Sequence, residues 1–151
     1  MNWIRNISYA MVFLFCAALG LPTQAAVAEC LKYEPTTIEL TGTIKPVTFP
    51  GPPNYQSVRE GDKPERYWVL YLPKPVCVDG DPNNNINEAE KHINSLQLII
   101  NDYDKYRSLL GQKVTVKGEL THAITGHHHT NVLINVKEIK KAQQQNRGDR
   151  E

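Results

Sequence analysis

Apolar and polar residues alternate with a period of two in five separated runs, the mark of half-buried strands. Thr37–Lys45 carries Ile38, Leu40 and Ile44 in phase. Arg66–Leu72 is aromatic and branched, and Ser95–Ile100 is a short apolar run. Lys113–Leu120 sets Val114, Val116 and Leu120 on one face; Asn131–Ile139 does the same with Val132, Ile134 and Val136. Between the third and fourth runs the period changes. Tyr103, Tyr106, Leu109 and Leu110 recur at helical spacing, with Asp102 as N-cap and Gly111 as C-terminal stop.

Three strands, one short helix and two strands are the element order of a five-stranded OB-like barrel. The expected class is therefore mainly β, with the helix between strands 3 and 4. A small sandwich or an open sheet could carry the same elements.

The chain start reads as an export signal covering residues 1–28. Arg5 gives the positive end, Tyr9 to Leu21 the apolar core, and Ala26-Val27-Ala28 a small-x-small cleavage site. That core is too short to span a bilayer comfortably. A lipid anchor at Cys30 is disfavoured, because Glu29 stands where a small residue is needed. Residues 29–139 form the expected single domain. Residues 140–151 are a polar tail without an apolar face, expected to be disordered. The predicted location is periplasmic or secreted, with no membrane span after cleavage, and the protein is expected to be a monomer.

The whole chain has 17 basic and 16 acidic residues, and the leader holds one basic residue and no acid. The mature chain is thus neutral. It lacks the field that draws proteins to phosphate backbones or anionic lipid, which argues against nucleic acid as a partner. Cys16 leaves with the leader, so Cys30 and Cys77 remain. In an oxidising compartment two cysteines most simply form one disulfide. The competing reading, a reactive thiol pair, has no Cys-x-x-Cys spacing to support it.

Four of the five histidines fall within eight residues: His122, His127, His128 and His129. Three of them are consecutive in Thr125-Gly126-His127-His128-His129-Thr130, a turn between the last two strands. Imidazole titrates near neutral pH and is the commonest metal ligand. Placing Val116 opposite Ile134 and Val114 opposite Val136 would set His122 opposite His128, while His127 and His129 share the other face. Zinc or copper are the candidate metals, with Asp, Glu, water or a second chain completing the site. The turn could equally be solvated, or held in shape by Gly126 and Thr130. The second unusual segment is Phe49-Pro50-Gly51-Pro52-Pro53-Asn54-Tyr55, in a long connection between the first two strands. Prolines lower the entropy of ordering such a loop. In an OB-like barrel these two connections approach each other. Pro52, Pro53, Asn54, Tyr55, His122, Thr125 and Thr130 are therefore the expected ligand-binding residues. A third segment is measured against a calcium loop. Asp79, Asp81 and Asn83 fill its first, third and fifth places and Glu90 its last. Asn84 stands where glycine is usual, and a plain Asn-rich turn fits as well.

Gly51-Pro52-Pro53-Asn54-Tyr55, Lys74-Pro75-Val76-Cys77-Val78 and Thr125-Gly126-His127-His128-His129-Thr130 together resemble a family of small exported bacterial proteins, the domain of unknown function DUF4431. The resemblance spans about Thr41 to Ile139. It implies export from a bacterial cell and supplies no activity or catalytic residue. The functional expectation is a non-enzymatic binding module for a metal ion or small polar ligand. Two readings stand beside it: an envelope protein-interaction module of inhibitor or immunity type, and a His-dependent hydrolase. The last lacks a Ser, Cys or carboxylate constellation at a recognised spacing.

Overall fold

The computed structural model describes residues 29–143. The leader expectation, and the tail from residue 144 onward, fall outside the described residues.

Five strands form: β1 Thr37–Pro50, β2 Pro64–Val78, β3 Glu90–Ile99, β4 Lys113–His122 and β5 Val132–Lys141. Each contains most of one alternating run and outreaches it at one end or both. Ladder hydrogen bonds need no apolar side chain, so strands continue past the point where alternation stops. This corrects the start of the polar tail. Lys140 and Lys141 are paired with Thr115 and Val114, inside β5.

The strands make one mixed sheet whose hydrogen bonds close into a ring in the order β1-β2-β3-β5-β4. All pairs are antiparallel except β3 with β5. β1 closes the ring by serving two partners. Thr37–Thr43 pairs with β4 and Thr43–Pro50 with β2. Gly42 lies beside this switch, where an added Cβ would stand 2.4 Å from the Tyr71 carbonyl oxygen. Inside the ring Ile44, Leu70, Leu96, Leu98, Val114, Val116, Leu120 and Ile134 are fully buried. Burying side chains of this size stabilises by roughly 1.5–3 kcal/mol each. The alternation seen in the sequence is the record of these inward positions.

The β4–β5 register differs from the expected one. Val116 faces Ile139, Leu120 faces Ile134, and His122 faces Val132 rather than His128, four residues further along. From Gly118 to His122 the shift is four residues, an even number that returns each side chain to the same face, so alternation cannot distinguish the two registers there; from Val114 to Lys117 it is five. A bulge between Lys117 and Gly118 adjusts the ladder. There the Gly118 backbone approaches Asn135 closely enough that an added Cβ would sit 2.4 Å from its carbonyl oxygen.

The expected helix is a 3-10 helix, Asp104–Leu109. A segment this short does not offset the cost of α-helix nucleation. Asp102 Oδ1 accepts from the Lys105 N–H at 3.2 Å. Gly111 takes a positive φ of 75° and donates its N–H to the Ile44 carbonyl at 2.9 Å, which ends the segment against β1. Among the described residues no helix is long and apolar enough to cross a membrane.

Cys30 and Cys77 are disulfide-bonded, with Cα atoms 4.8 Å apart and a sequence separation of 47. The chain-entropy account puts such a link at about 4 kcal/mol. It seats the N-terminal segment along the end of β2. The Leu31 N–H donates to the Cys77 carbonyl and the Asp79 N–H to the Leu31 carbonyl, both at 2.8 Å.

Candidate functional site at the histidine turn

The proline-rich connection is held from within. The Gly51 N–H donates to the Lys63 carbonyl at 2.7 Å and the Lys63 N–H to the Pro52 carbonyl at 2.9 Å, closing its base. Asp62, almost fully buried, fills it. Its carboxylate accepts from the backbone N–H groups of Asn54, Gln56 and Ser57 at 2.7–2.9 Å. Those donors, Ser57 foremost, hold the Asp62 carboxyl below the usual range despite the opposing effect of burial. Tyr55 follows with φ of 58°, an uncommon conformation for a residue with a side chain. Its ring lies on Gly126, where an added Cβ would come within 2.9 Å of the ring atoms.

The histidine turn is built by equally specific contacts. The Ala123 N–H donates to the Asn131 carbonyl at 2.9 Å and the His128 N–H to the Thr125 carbonyl at 3.0 Å. His128 Nδ1 accepts from the Ile124 N–H at 3.0 Å, so this ring serves its own loop. Below the turn lies Gln97, a fully buried amide on β3. Its Nε2 donates to the His127 carbonyl at 3.0 Å, and its Oε1 accepts from the His129 N–H at 2.7 Å. The Gln97 N–H donates to Thr130 Oγ1 at 2.9 Å, and that hydroxyl donates to the Val132 carbonyl at 2.7 Å.

The two connections meet over Glu65 at the start of β2. His127 Nδ1 stands 2.8 Å from Glu65 Oε1 and 2.9 Å from Oε2, and its Nε2 lies 3.3 Å from the Tyr55 hydroxyl. His129 reaches the same carboxylate from beneath. Its Nε2 is 3.5 Å from Glu65 Oε2, long for a hydrogen bond, and this buried nitrogen has no hydrogen-bond partner. The His129 side chain is 9% exposed, against 50% for His127. Phe49 stacks on the His129 ring at 4.3 Å with planes 3° apart, and Tyr67 lies 5.5 Å away. Gly51 leaves room for the arrangement; an added Cβ there would be 2.6 Å from Glu65 Cγ.

The electrostatics follow from this packing. The hydrogen bond from His127 holds the Glu65 carboxyl below its ordinary value, against burial, and the charge His127 carries when protonated acts the same way. Burial depresses the His128 imidazole, and its histidine neighbours add to that. Burial also raises the Tyr67 phenol, with Glu65 next in effect.

The four histidines do not form one cluster. His122 lies in a second group, with Nε2 3.1 Å from Glu90 Oε1 and Nδ1 3.1 Å from the Ala123 carbonyl. Tyr33 stands beside it with ring centroids 6.3 Å apart. The expected His122–His128 pair is therefore corrected, for the register reason above. The calcium set is not assembled either. Glu90 is the first residue of β3, and its Oε1 faces His122 and accepts from Asn131 Nδ2 at 3.2 Å. Asp81 Oδ1 accepts instead from the Asn83 N–H at 2.9 Å, an Asx turn within the loop. Among the described residues no three His, Cys, Asp or Glu side chains are arranged to hold a metal ion. Pro52, Pro53, Asn54, Tyr55, Thr125 and Thr130 do lie in the two connections that meet.

Glu65, Gln97 and Asp62 escaped the sequence reading, and Phe49 figures in it as part of the proline-rich segment but not as a site residue. Gln97 left one signal. It is the lone polar residue between Leu96 and Leu98, on the face away from the ring interior.

Residues 95–140 match the family described as Domain of unknown function (DUF4431). The matched stretch holds Gln97 and the histidine turn; the proline-rich connection and both disulfide cysteines precede it. No curated protein matches the chain.

Proposed function

We propose that the protein is a non-enzymatic binding module of the periplasm or the secreted fraction, an OB-like barrel whose site lies where the proline-rich connection meets the histidine turn. The observation that carries this reading is the shared Glu65 carboxylate, approached by His127 and His129 beneath a Tyr55 ring seated on Gly126. The Cys30–Cys77 disulfide supports an oxidising compartment. The ligand is a small polar molecule that meets the exposed edge of His127 and the Tyr55 hydroxyl. A zinc or copper ion is the narrower version. The partnerless His129 Nε2 favours it, and the lack of a third convergent donor among the described residues counts against it.

The test uses tag-free protein with labelled histidine side chains. Zinc, copper, calcium and a panel of sugars, amino acids and dicarboxylates are titrated in turn. Saturable movement of the His127 ring resonances by one of these, with a raised melting temperature, supports the reading, because native-state binding stabilises by mass action. Silence across the panel overturns it. The interaction-module reading has its own support. Ile124 in the turn and Val58 in the facing connection are exposed apolar side chains, 63% and 43% accessible. It predicts recovery of a specific envelope protein, lost in Ile124→Lys.

A further inference from the structure

At the far end of the β1–β2 ladder lies a cleft that the reading above does not use. β1 changes partners at Thr43, which faces Tyr71 of β2 on one side and Lys113 of β4 on the other. Side chains directly opposed across strands share a face, with Cβ atoms about 5 Å apart. Tyr71, Thr43 and Lys113 therefore form one row on a common face. Lys45, two residues along β1, joins the same face, and its Nζ stands 5.5 Å from the centre of the Tyr71 ring.

The row borders a cleft of about 480 Å³, whose remaining wall includes Leu72 and Pro73 of β2. That volume is within the range of small-molecule sites, roughly 300–1,000 Å³. Two features give it a chemistry. Its charged lining among the described residues is two lysines without a carboxylate, in a chain whose charges otherwise nearly balance. Tyr71 is 40% exposed, although most large apolar and aromatic side chains of the sheet are covered. The backbone adds a reason for the opening. β1 has left β2 beyond Tyr71, and the β2–β3 ladder breaks between Tyr71 and Val76, so Leu72–Pro75 pairs with neither neighbour.

We infer that this cleft binds a small organic anion with a flat ring: the carboxylate between Lys45 and Lys113, the ring against Tyr71, the Thr43 hydroxyl within reach of the anionic oxygen. From the Thr43–Tyr71 pair to the Pro50–Pro64 pair the ladder runs seven residues, so this site is roughly 23 Å from the proline-rich connection. It stands or falls independently of the histidine turn.

Benzoate is the probe, titrated into the isotope-labelled full chain and followed by amide resonances. Benzamidine, of the same shape and opposite charge, and cyclohexanecarboxylate, without the flat ring, are the comparisons. Benzoate is expected to move the Thr43, Leu72 and Lys113 amides saturably, with a dissociation constant on the order of 1 mM for so small a ligand. Lys45→Glu with Lys113→Glu is expected to abolish the shifts, and Tyr71→Ala to weaken binding several-fold, with the remaining spectrum of each variant unchanged. Cyclohexanecarboxylate is expected to bind more weakly than benzoate. Shifts that grow linearly without saturating, equal response to benzamidine, or an undiminished response in the lysine double variant would overturn the proposal. The histidine-turn resonances stay still under benzoate if the two sites are separate.

Discussion

Two imidazole–carboxylate pairs lie in this small sheet, and they are built differently. His127 and Glu65 belong to a turn and to a strand start distant in sequence, and everything around them holds two connections together. Tyr55, Gly126, Phe49, His129 and the buried Gln97 amide all contribute. His122 and Glu90 sit at the ends of β4 and β3, positions that the sheet itself already fixes, with Asn131 and the Ala123 carbonyl completing their hydrogen bonds. The first pair depends on a scaffold of side chains and presents one half-exposed ring. The second is a tie between strand ends, with both side chains about four-fifths covered. The same two residue types thus serve a candidate site in one place and a structural tie in the other. The difference lies in what supports them.

The sharpest way to break the contrast is Gln97→Leu. It keeps the volume but strands the His127 carbonyl and the His129 N–H, and each unsatisfied buried group costs about 1–3 kcal/mol. A total loss of about 2–6 kcal/mol is expected in chemical denaturation. The His127 and His129 resonances should broaden or move while His122 stays in place. Equal disturbance of both pairs would show that they are one unit. Gly126→Ala comes next. Its Cβ would collide with the Tyr55 ring, and relief of such overpacking typically costs about 1–3 kcal/mol; the lower end is expected here because the site is exposed. The Tyr55–His127 contact should be lost with the sheet intact.

The pH dependence reports on the groups whose affinity for protons the fold changes. His128 holds its proton less readily when folded, so its contribution is complete above the unfolded value near 6.5 and fades as pH falls below it. Glu65 and Asp62 have lowered carboxyl values, so their contributions are complete above the unfolded carboxyl range, about pH 4–4.5, and fade as pH drops through the lower folded values. Acid unfolding should therefore begin at the histidine turn, and His128→Asn should remove the earlier phase. At the alkaline end Tyr33 is raised to about 12, chiefly by burial and then by Glu90. Its stabilising share persists below about pH 10 and is lost as pH rises toward 12. The smallest effect is expected from Glu90→Gln. A partly covered pair at a strand end contributes less than about 1 kcal/mol, read as a small shift of the denaturation midpoint.

The five strands were legible because their inward residues must alternate to fill the ring; Ile44, Leu70, Val116 and Ile134 could not be elsewhere. The meeting of Tyr55 with the histidine turn was legible through fold order alone. The register of β4 on β5 was not, because a shift of four residues leaves alternation intact, and with it went the expected pairing of His122 with His128. Glu65 looked like an ordinary charged residue at a strand start, since nothing local marks a carboxylate that two distant rings will share. Glu90 matched a calcium spacing along the chain, but as the first residue of β3 its carboxylate answers to neighbours across the sheet, His122 and Asn131.

β3 and β5 are laddered through only three residue pairs, the shortest ladder in the ring. Gln97 and Thr130 are fastened across that short seam, so the histidine turn acts as its clasp. Opening of the ring at the seam must first release the clasp. A change that tightens the turn would then slow amide exchange along β3 beyond Gln97.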